Sequence, residues 1–154
     1  MHFTLADLLL DLVQNAAGAG SRTVRVVWRE RDDRLTMIVE DDGVGMPADV
    51  VARVTDPFYT DGTKHPGRSV GLGLAFLRQT AEATGGTFTV DSEPGAGTRV
   101  VLEAPVDHVD LPPAGDVGDT LVMVLCAEGT HRIEIVREGP GGRYAVNTEE
   151  LKDV

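Results

Sequence analysis

The feature that most constrains the fold is an apolar strand that runs directly into a glycine loop. Residues 35–39 form an apolar run typical of a buried β-strand, and Asp41 follows where that strand should end. Gly43 and Gly45 let the backbone turn sharply and leave room for a flat ligand. A carboxylate beside such a space can accept a hydrogen bond from an exocyclic amine, such as N6 of adenine. The alternative for this stretch alone is an ordinary Asp-Gly turn.

The chain around this loop alternates between helical and strand patterns. Apolar residues recur at helical spacing from Leu5 to Ala16, and Asp11 and Asn15, four residues apart, share a different face of that helix. Further predicted elements are strands at 23–29 and 35–40, helices at 47–54 and 70–84, and a hairpin at 87–91 and 98–104. This order predicts an α+β fold, a two-layer α/β sandwich with helices on one face of a mixed sheet.

Composition changes at Pro105, which suggests a boundary. Residues 1–104 are predicted to form the main domain, and the Pro- and Gly-containing stretch 105–118 a linker or strap. Residues 119–154 predict a small αββ extension, with Asp119 capping a helix through Ala127 and strands at 131–137 and 144–147. An extension of this size cannot hold a large core alone, so we expect it to pack on the main domain or on a partner.

Charge and hydropathy exclude several classes of function. The chain has 14 Lys and Arg against 25 Asp and Glu, a net charge of −11, which argues against a broad nucleic-acid interface. No apolar run approaches the length of a bilayer-spanning helix, and no signal-peptide pattern opens the sequence, so we expect a cytoplasmic protein without membrane contact. The one cysteine, Cys126, lies in an apolar setting and is expected to be a small core residue.

Four short stretches in order resemble the ATP-binding domain shared by gyrase, Hsp90, histidine kinases and MutL, the GHKL group. They are residues 11–17, 40–46, 56–60 and 71–74, within a match that runs from about Leu5 to Ala104. The Pro57–Thr60 box and the segment 85–98 resemble the histidine-kinase branch in particular. The resemblance implies a Bergerat-type fold with ATP and Mg²⁺ as ligands.

The resemblance assigns roles to individual residues. Asn15 corresponds to the asparagine that holds Mg²⁺, and its carbonyl is a hard oxygen suited to that ion. Asp41 corresponds to the acid that reads adenine. Gly43 and Gly45 shape the pocket, Met46 packs near the base, and Asp42 is expected to matter less.

The phosphate side of the predicted site departs from the family pattern. Gly71, Leu72 and Gly73 open a predicted helix whose N–H groups can hold the triphosphate, but Val70 replaces the usual hydroxyl residue. The basic residue that many histidine kinases carry after the asparagine is missing here. The phosphates are therefore expected to rely on Mg²⁺, the helix terminus, and Lys64 and Arg68, for which simple surface charge is the alternative.

Asp11 has three possible roles. Gyrase-like and MutL-like members place a water-activating glutamate at this position, so Asp11 is a candidate general base. Aspartate is one methylene shorter, and histidine-kinase members use this position for positioning instead. A solvated helix carboxylate is the third possibility.

Three functions follow from these assignments. Because the asparagine-bearing helix begins near Leu5, the chain is expected to lack the phosphorylatable-histidine module of a sensor kinase and to act with an unidentified protein partner or as a homodimer. It could be an ATP-responsive switch, a slow ATPase or anti-sigma-factor-like kinase, or a fragment of a larger kinase. Residues 107–116 also resemble the strap of stand-alone ATP-binding proteins found beside iron-only hydrogenase subunits, which implies iron–sulfur redox partners.

Overall fold

The computed structural model describes residues 4–56, 72–126 and 132–148. Four helices and six strands occupy these ranges. In chain order they are α1 (Leu5–Gly18), β1 (Thr23–Arg31), β2 (Arg34–Asp41), α2 (Ala48–Val54), α3 (Leu72–Thr84), β3 (Thr87–Glu93), β4 (Gly97–Pro105), α4 (Val117–Leu125), β5 (Arg132–Gly139) and β6 (Gly142–Asn147). The predicted α+β class is confirmed.

The six described strands form one mixed sheet in the order β3-β4-β2-β1-β5-β6. β1 and β5 pair in parallel, and the other neighbours pair antiparallel. Parallel neighbours require a long crossover connection, and here that connection carries the chain from β1 through the whole main domain to β5. The αββ extension therefore completes the main sheet instead of standing beside it.

The core lies between one face of the sheet and the helices. Alternate residues of the central strands are buried on this face, as the period of two in a strand requires. They are Val24, Val26 and Trp28 of β1, Leu35, Met37 and Val39 of β2, Val100 and Leu102 of β4, and Ile133 and Ile135 of β5. They pack against the apolar stripe of α1 and against Leu74, Leu77, Val117, Leu121 and Val124 of the other helices.

The first turn of α1 is fixed from two directions. The Thr4 hydroxyl accepts a hydrogen bond from the Asp7 N–H at 3.0 Å, and the Asp7 carboxylate accepts from the Thr4 N–H at 3.1 Å, a capping box. The N–H groups of Leu5 and Ala6 donate to strap carbonyls, those of Pro113 and Ala114, at 2.9 and 3.0 Å. Helix N–H groups that have no partner within the helix are thus paired, which fixes the helix that carries Asn15.

Two sequence predictions near α4 are wrong. The helix begins at Val117 with Asp116 as its N-cap, whose carboxylate accepts from the Asp119 N–H at 3.0 Å, so Asp119 lies inside the first turn. Starting there buries Val117 and Leu121 against the core. Cys126 is exposed, because the helix ends at Leu125 and Cys126 is its C-cap.

The described helices are too short and too polar for any of them to cross a bilayer. The longest is α1, with 14 residues.

Candidate functional site

A cavity of about 560 Å³ opens between α1 and the ends of β2 and β4. Its volume lies in the range of small-molecule sites, about 300–1,000 Å³. Most of its lining is apolar, and α1, β2 and β4 each contribute a few polar groups. The lining residues are Leu12, Gln14, Asn15, Ala16, Gly18, Ala19, Val39, Asp41, Val44, Gly45, Met46, Val50, Val54, Leu74, Thr98 and Val100.

Asp41 is the acidic group that lines this cavity. It has the same strand parity as Val39, so it belongs to the helix-facing side of β2, and its cross-strand partner on β4 is Thr98. One carboxylate oxygen, Oδ1, accepts from the Gly43 N–H at 2.8 Å. Burial raises the pKa of Asp41, the neighbouring Asp42 charge raises it further, and the N–H groups of Gly43 and Thr98 oppose the rise. The cavity thus contains a partly desolvated carboxylate.

Asp42, the next residue, faces elsewhere and has a structural role. Its Oδ1 accepts from the N–H groups of Arg22 and Thr23 at 2.7 and 3.0 Å. These two bonds lower the pKa of Asp42, that of Thr23 most. The two hydrogen bonds connect the end of β2 to the start of β1. Of the two aspartates, only Asp41 lines the cavity on the helix side of the sheet.

Close backbone approaches explain the two glycines of the loop. A Cβ on Gly43 would lie 2.6 Å from the carbonyl oxygen of Ala19. Gly45 has a φ of +69°, and a Cβ there would lie 1.9 Å from the carbonyl oxygen of Glu93. The loop is therefore pressed between the end of α1 and the β3–β4 hairpin, which fixes the cavity wall.

Asn15 and Asp11 occupy successive turns of α1 but meet different surroundings. Asn15 is partly buried and lines the cavity. Asp11 is not among the lining residues. Its Oδ2 instead adjoins the start of α3, where a Cβ on Gly73 would lie only 2.5 Å from it.

The predicted phosphate-binding residues are only partly within the described chain. Leu72 and Gly73 are the first two residues of α3, and Gly73 is buried. Lys64, Arg68 and Gly71 lie outside the described residues, as does the Pro57–Thr60 box.

Sequence reasoning missed a hydroxyl pair next to Asp41. Thr98 faces the cavity beside Asp41, and Ser92 is its cross-strand partner on β3. The Ser92 Oγ lies 2.8 Å from the Thr98 Oγ1 and accepts from the Met46 N–H at 2.8 Å. The segment 85–98 contained both residues, but only the strand register brings them next to Asp41.

The donor atoms of the cavity fit a metal ion that binds together with a ligand better than they fit a permanently bound metal. Within the described ranges, no group of three or more His, Cys, Asp or Glu residues could hold a metal ion. One asparagine carbonyl at the cavity fits Mg²⁺, which usually takes few protein ligands and completes its shell with phosphate oxygens and water.

Residues 2–108 match the sequence profile of the histidine kinase-, DNA gyrase B- and HSP90-like ATPases. The chain belongs to this ATPase family. The matched range contains Asn15, Asp41 and the whole described cavity. The resemblance inferred from the four motifs is confirmed, and the mixed sheet with helices on one face is the Bergerat fold of this histidine kinase-like ATPase domain.

The curated proteins that are similar in sequence include sensor kinases, and this chain spans only a small part of their length. AfsQ2, a signal transduction histidine-protein kinase of Streptomyces coelicolor, is 34% identical over 112 residues, which are 72% of this chain and 21% of AfsQ2. The sensor kinase CckA of Brucella abortus is 41% identical over 73 residues, 47% of this chain and 8% of CckA. Among solved structures, full-length ShkA in complex with AMPPNP is 30% identical with a TM-score of 0.48, covering 64% of this chain and 20% of ShkA.

The contact between Asp11 and Gly73 gives a prediction for this ATPase domain. Gly→Ala inside a helix normally stabilises by up to about 1 kcal/mol. Gly73→Ala in the wild-type chain must displace the Asp11 carboxylate and is expected to lose that gain or to destabilise. In an Asp11→Ala background the obstacle is gone, so the same substitution should stabilise. Urea unfolding of the four proteins measures the difference, and equal effects in both backgrounds would contradict the contact.

Proposed function

We propose that this chain binds Mg-ATP in the cavity between α1 and the ends of β2 and β4. The observation that carries the proposal is the position of Asp41, a partly desolvated carboxylate in the lining of a largely apolar cavity. Its Oδ1 is engaged by the Gly43 N–H, which leaves Oδ2 to accept from the N6 amine of adenine. Guanine presents a carbonyl oxygen at that position, so the carboxylate would repel it.

The apolar lining would hold the adenine ring. Val39 and Val100 form one side from the sheet, Leu12 and Leu74 line the cavity from the helices, and Met46 lies at the loop. Flat apolar walls with one or two polar groups at the ring edge are what a purine site requires. Met46 keeps the role that the sequence predicted for it.

Mg²⁺ and the phosphates would lie toward α1 and α3. The Asn15 carbonyl is the proposed protein ligand of Mg²⁺, and the ion would neutralise part of the phosphate charge. The N–H groups at Gly71, Leu72 and Gly73 are the proposed phosphate donors at the start of α3, with Lys64 and Arg68 as the proposed basic residues. The profile match over residues 2–108 is to ATPases, which supports the choice of a nucleotide.

The proposed output is an ATP-dependent change that a partner protein senses. Asp11 adjoins Gly73, so a phosphate that binds at the start of α3 would act on α1 through that carboxylate. This contact favours a positioning role for Asp11. The strap resemblance makes iron–sulfur redox proteins the first partner class to test.

The second candidate function is slow ATP hydrolysis or phosphotransfer to a partner protein, with Asp11 as general base. Its support is that the profile match is to ATPases and that the relatives are kinases.

Two measurements test these functions. Titration calorimetry with ATP, GTP and Mg²⁺ should show binding of Mg-ATP and at least tenfold weaker binding of Mg-GTP, and no heat with ATP would overturn the proposal.

Phosphate release by the Asp11→Ala variant tests whether Asp11 is a general base. If Asp11 is the base, turnover should fall by 10²-fold or more with binding retained. Equal turnover in the variant and the wild type would rule out the general-base role of Asp11.

A further inference from the structure

We propose that the open face of the sheet, the side opposite the described helices, binds the same face of a second copy of this chain. Side chains alternate between the two sides of a strand, so the residues between the core residues lie on this face. Its central residues are Arg25, Val27 and Arg29 of β1, Thr36, Ile38 and Glu40 of β2, Arg99, Val101 and Glu103 of β4, and Glu134, Val136 and Glu138 of β5. The cavity lies on the other side of the sheet, so this inference does not depend on nucleotide binding.

An apolar row crosses the middle of the open face. The strand registers place Val101, Ile38, Val27, Val136 and Ala145 side by side on β4, β2, β1, β5 and β6. Val27 is only 3% exposed although it lies outside the core cluster, and Ile38, Val101 and Val136 are half-buried. An apolar row that no described helix covers is a surface on which a second sheet can pack.

Charged residues of both signs flank the apolar row. Strand parity places on the open face seven of the 14 Lys and Arg residues, namely Arg25, Arg29, Arg31, Arg34, Arg99, Arg132 and Arg143. It places there only six of the 25 Asp and Glu residues, namely Glu40, Asp91, Glu93, Glu103, Glu134 and Glu138. Two copies of a chain with a net charge of −11 repel each other, so their close approach is favoured at a face that is nearly neutral.

A two-fold axis along the strands, between β2 and β1, makes the apolar row self-complementary. Such an axis places β2 on β1 of the second copy and β4 on β5 of the second copy. Ile38 then lies opposite Val27 of the second copy, and Val101 lies opposite Val136. The apolar rows of the two copies therefore cover each other.

The charges favour this axis over the alternative one. With the axis along the strands, Glu40 faces Arg25 of the second copy and Arg99 faces Glu134, which are pairs of opposite charge. With an axis along the apolar row, Arg25 would instead face Arg29 of the second copy, and two positive charges would meet. The open face is thus complementary to itself in one orientation.

The second charged row is compatible with the same axis. Glu103 would face Glu138 of the second copy, but Arg29 and Arg31 both pair with Glu138 within its own chain. Glu103 therefore meets a cluster whose net charge is positive. Arg34 would face Arg31 at the rim of the interface, where salt and water screen the repulsion.

The size of the open face fits a weak dimer. Six strands about 4.8 Å apart and three rows about 7 Å apart cover roughly 25 by 20 Å. Two such faces bury about 1,000 Å² together, which is the lower limit of a specific interface. We therefore expect a dissociation constant on the order of 10 µM.

A mixing experiment tests the contact between Arg99 and Glu134. Analytical ultracentrifugation of the full chain without nucleotide follows the conversion of the 16.4 kDa monomer into a dimer. Arg99→Glu alone creates two like-charge contacts in the symmetric dimer, and so does Glu134→Arg alone, so each should weaken self-association at least tenfold. An equimolar mixture of the two variants restores both contacts in the heterodimer, which should form within about threefold of the wild-type affinity.

A substitution in the apolar row tests the centre of the interface. Ile38→Ser should weaken self-association at least tenfold and leave the circular dichroism spectrum unchanged. Met123, on α4, is 55% exposed, and Met123→Ser is the matched control that should leave self-association unchanged. If Ile38→Ser does not fold, Val101→Thr, which keeps the shape of the side chain, replaces it under the same criterion.

A wild-type chain that stays monomeric up to about 0.5 mM would overturn the inference. A dimer that Met123→Ser weakens and Ile38→Ser does not would overturn it as well, because α4 would then form the interface. A mixture that associates no more tightly than the single variants would overturn the two-fold arrangement on which the inference depends. Absence of ATP binding would overturn the proposed function alone.

Discussion

Asp41→Asn is expected to lower the affinity for Mg-ATP by about tenfold to a hundredfold while the protein stays folded. The carboxylate accepts the Gly43 N–H with Oδ1 at 2.8 Å, and its Oδ2 can accept from the N6 amine. An asparagine has one acceptor and one NH₂ group, so whichever donor meets the NH₂ group is left unpaired. An unpaired donor in a desolvated site costs about 1–3 kcal/mol, which sets the expected range. Titration calorimetry measures it, and wild-type affinity in the variant would contradict the adenine assignment.

The same variant should be more stable than the wild type at neutral pH. Burial raises the pKa of Asp41 in the folded state above its unfolded value. The free energy of unfolding therefore falls as pH rises from the pKa of the unfolded state to the higher pKa of the folded state. The penalty is absent below about pH 4, where the carboxyl is protonated in both states. The Tm of Asp41→Asn should exceed that of the wild type at pH 7, and the difference should shrink toward pH 4. Such a result would mean that the site carries a stability cost for its function.

Asp42→Asn is the matched control, and its effect on the stability of the fold at pH 7 is expected to be opposite to that of Asp41→Asn. The N–H groups of Thr23 and Arg22 lower the pKa of Asp42, so its ionised form stabilises the folded chain above the ordinary pKa and loses that effect as pH falls. The variant should be less stable than the wild type at pH 7 and should keep its ATP affinity within a few-fold. A similar loss of ATP affinity in both variants would mean that the effect comes from disturbing the loop and not from the base contact.

Removal of the residues after Pro105 is expected to unfold the chain. β1 would lose β5, its parallel partner, and the N–H groups of Leu5 and Ala6 would lose their strap acceptors. The core would also lose five buried side chains, those of Val117, Leu121, Val124, Ile133 and Ile135. Circular dichroism should show little structure in residues 1–105. A truncated chain that unfolds at the wild-type temperature would contradict the assignment of β5 to the central sheet.

A point variant tests the same packing in the full chain. Ile135 is 1% exposed, and Ile135→Ala should lower the free energy of unfolding by about 2–4 kcal/mol. Tyr144, on the neighbouring strand β6, is 46% exposed, so Tyr144→Ala should change it by less than about 0.5 kcal/mol. Urea unfolding measures both. Similar small changes in the two variants would show that β5 is not part of the core.

The parts of the site that depend on local patterns could be predicted from sequence. Asp41 follows a buried strand and precedes a Gly-x-Gly turn, and Asn15 lies on a helix whose apolar stripe faces elsewhere. Both patterns lie within a few residues, and both residues line the cavity in the structure. The capping box at Thr4 is likewise a local pattern, because it needs only the spacing from Thr4 to Asp7.

The parts that depend on distant pairing could not be predicted. Thr98 reaches the cavity through its register with Asp41, 57 positions earlier in the chain, and no local pattern specifies that register. The strand pattern of β5 indicated a strand but not its parallel partner β1. Asp119 was the predicted cap, but the burial of Val117 and Leu121 in the tertiary core places the helix start earlier, with Asp116 as the N-cap.

The central claim is that the Asp41 carboxylate reads adenine while Asn15 holds Mg²⁺ on the same nucleotide. A crystal structure of the full chain grown with Mg²⁺ and AMPPNP tests it most directly. The N6 amine is expected within about 3 Å of an Asp41 carboxylate oxygen, and the Mg²⁺ ion is expected on the Asn15 carbonyl. A nucleotide bound elsewhere, or a cavity between these two side chains closed by the chain's own apolar residues, would contradict it.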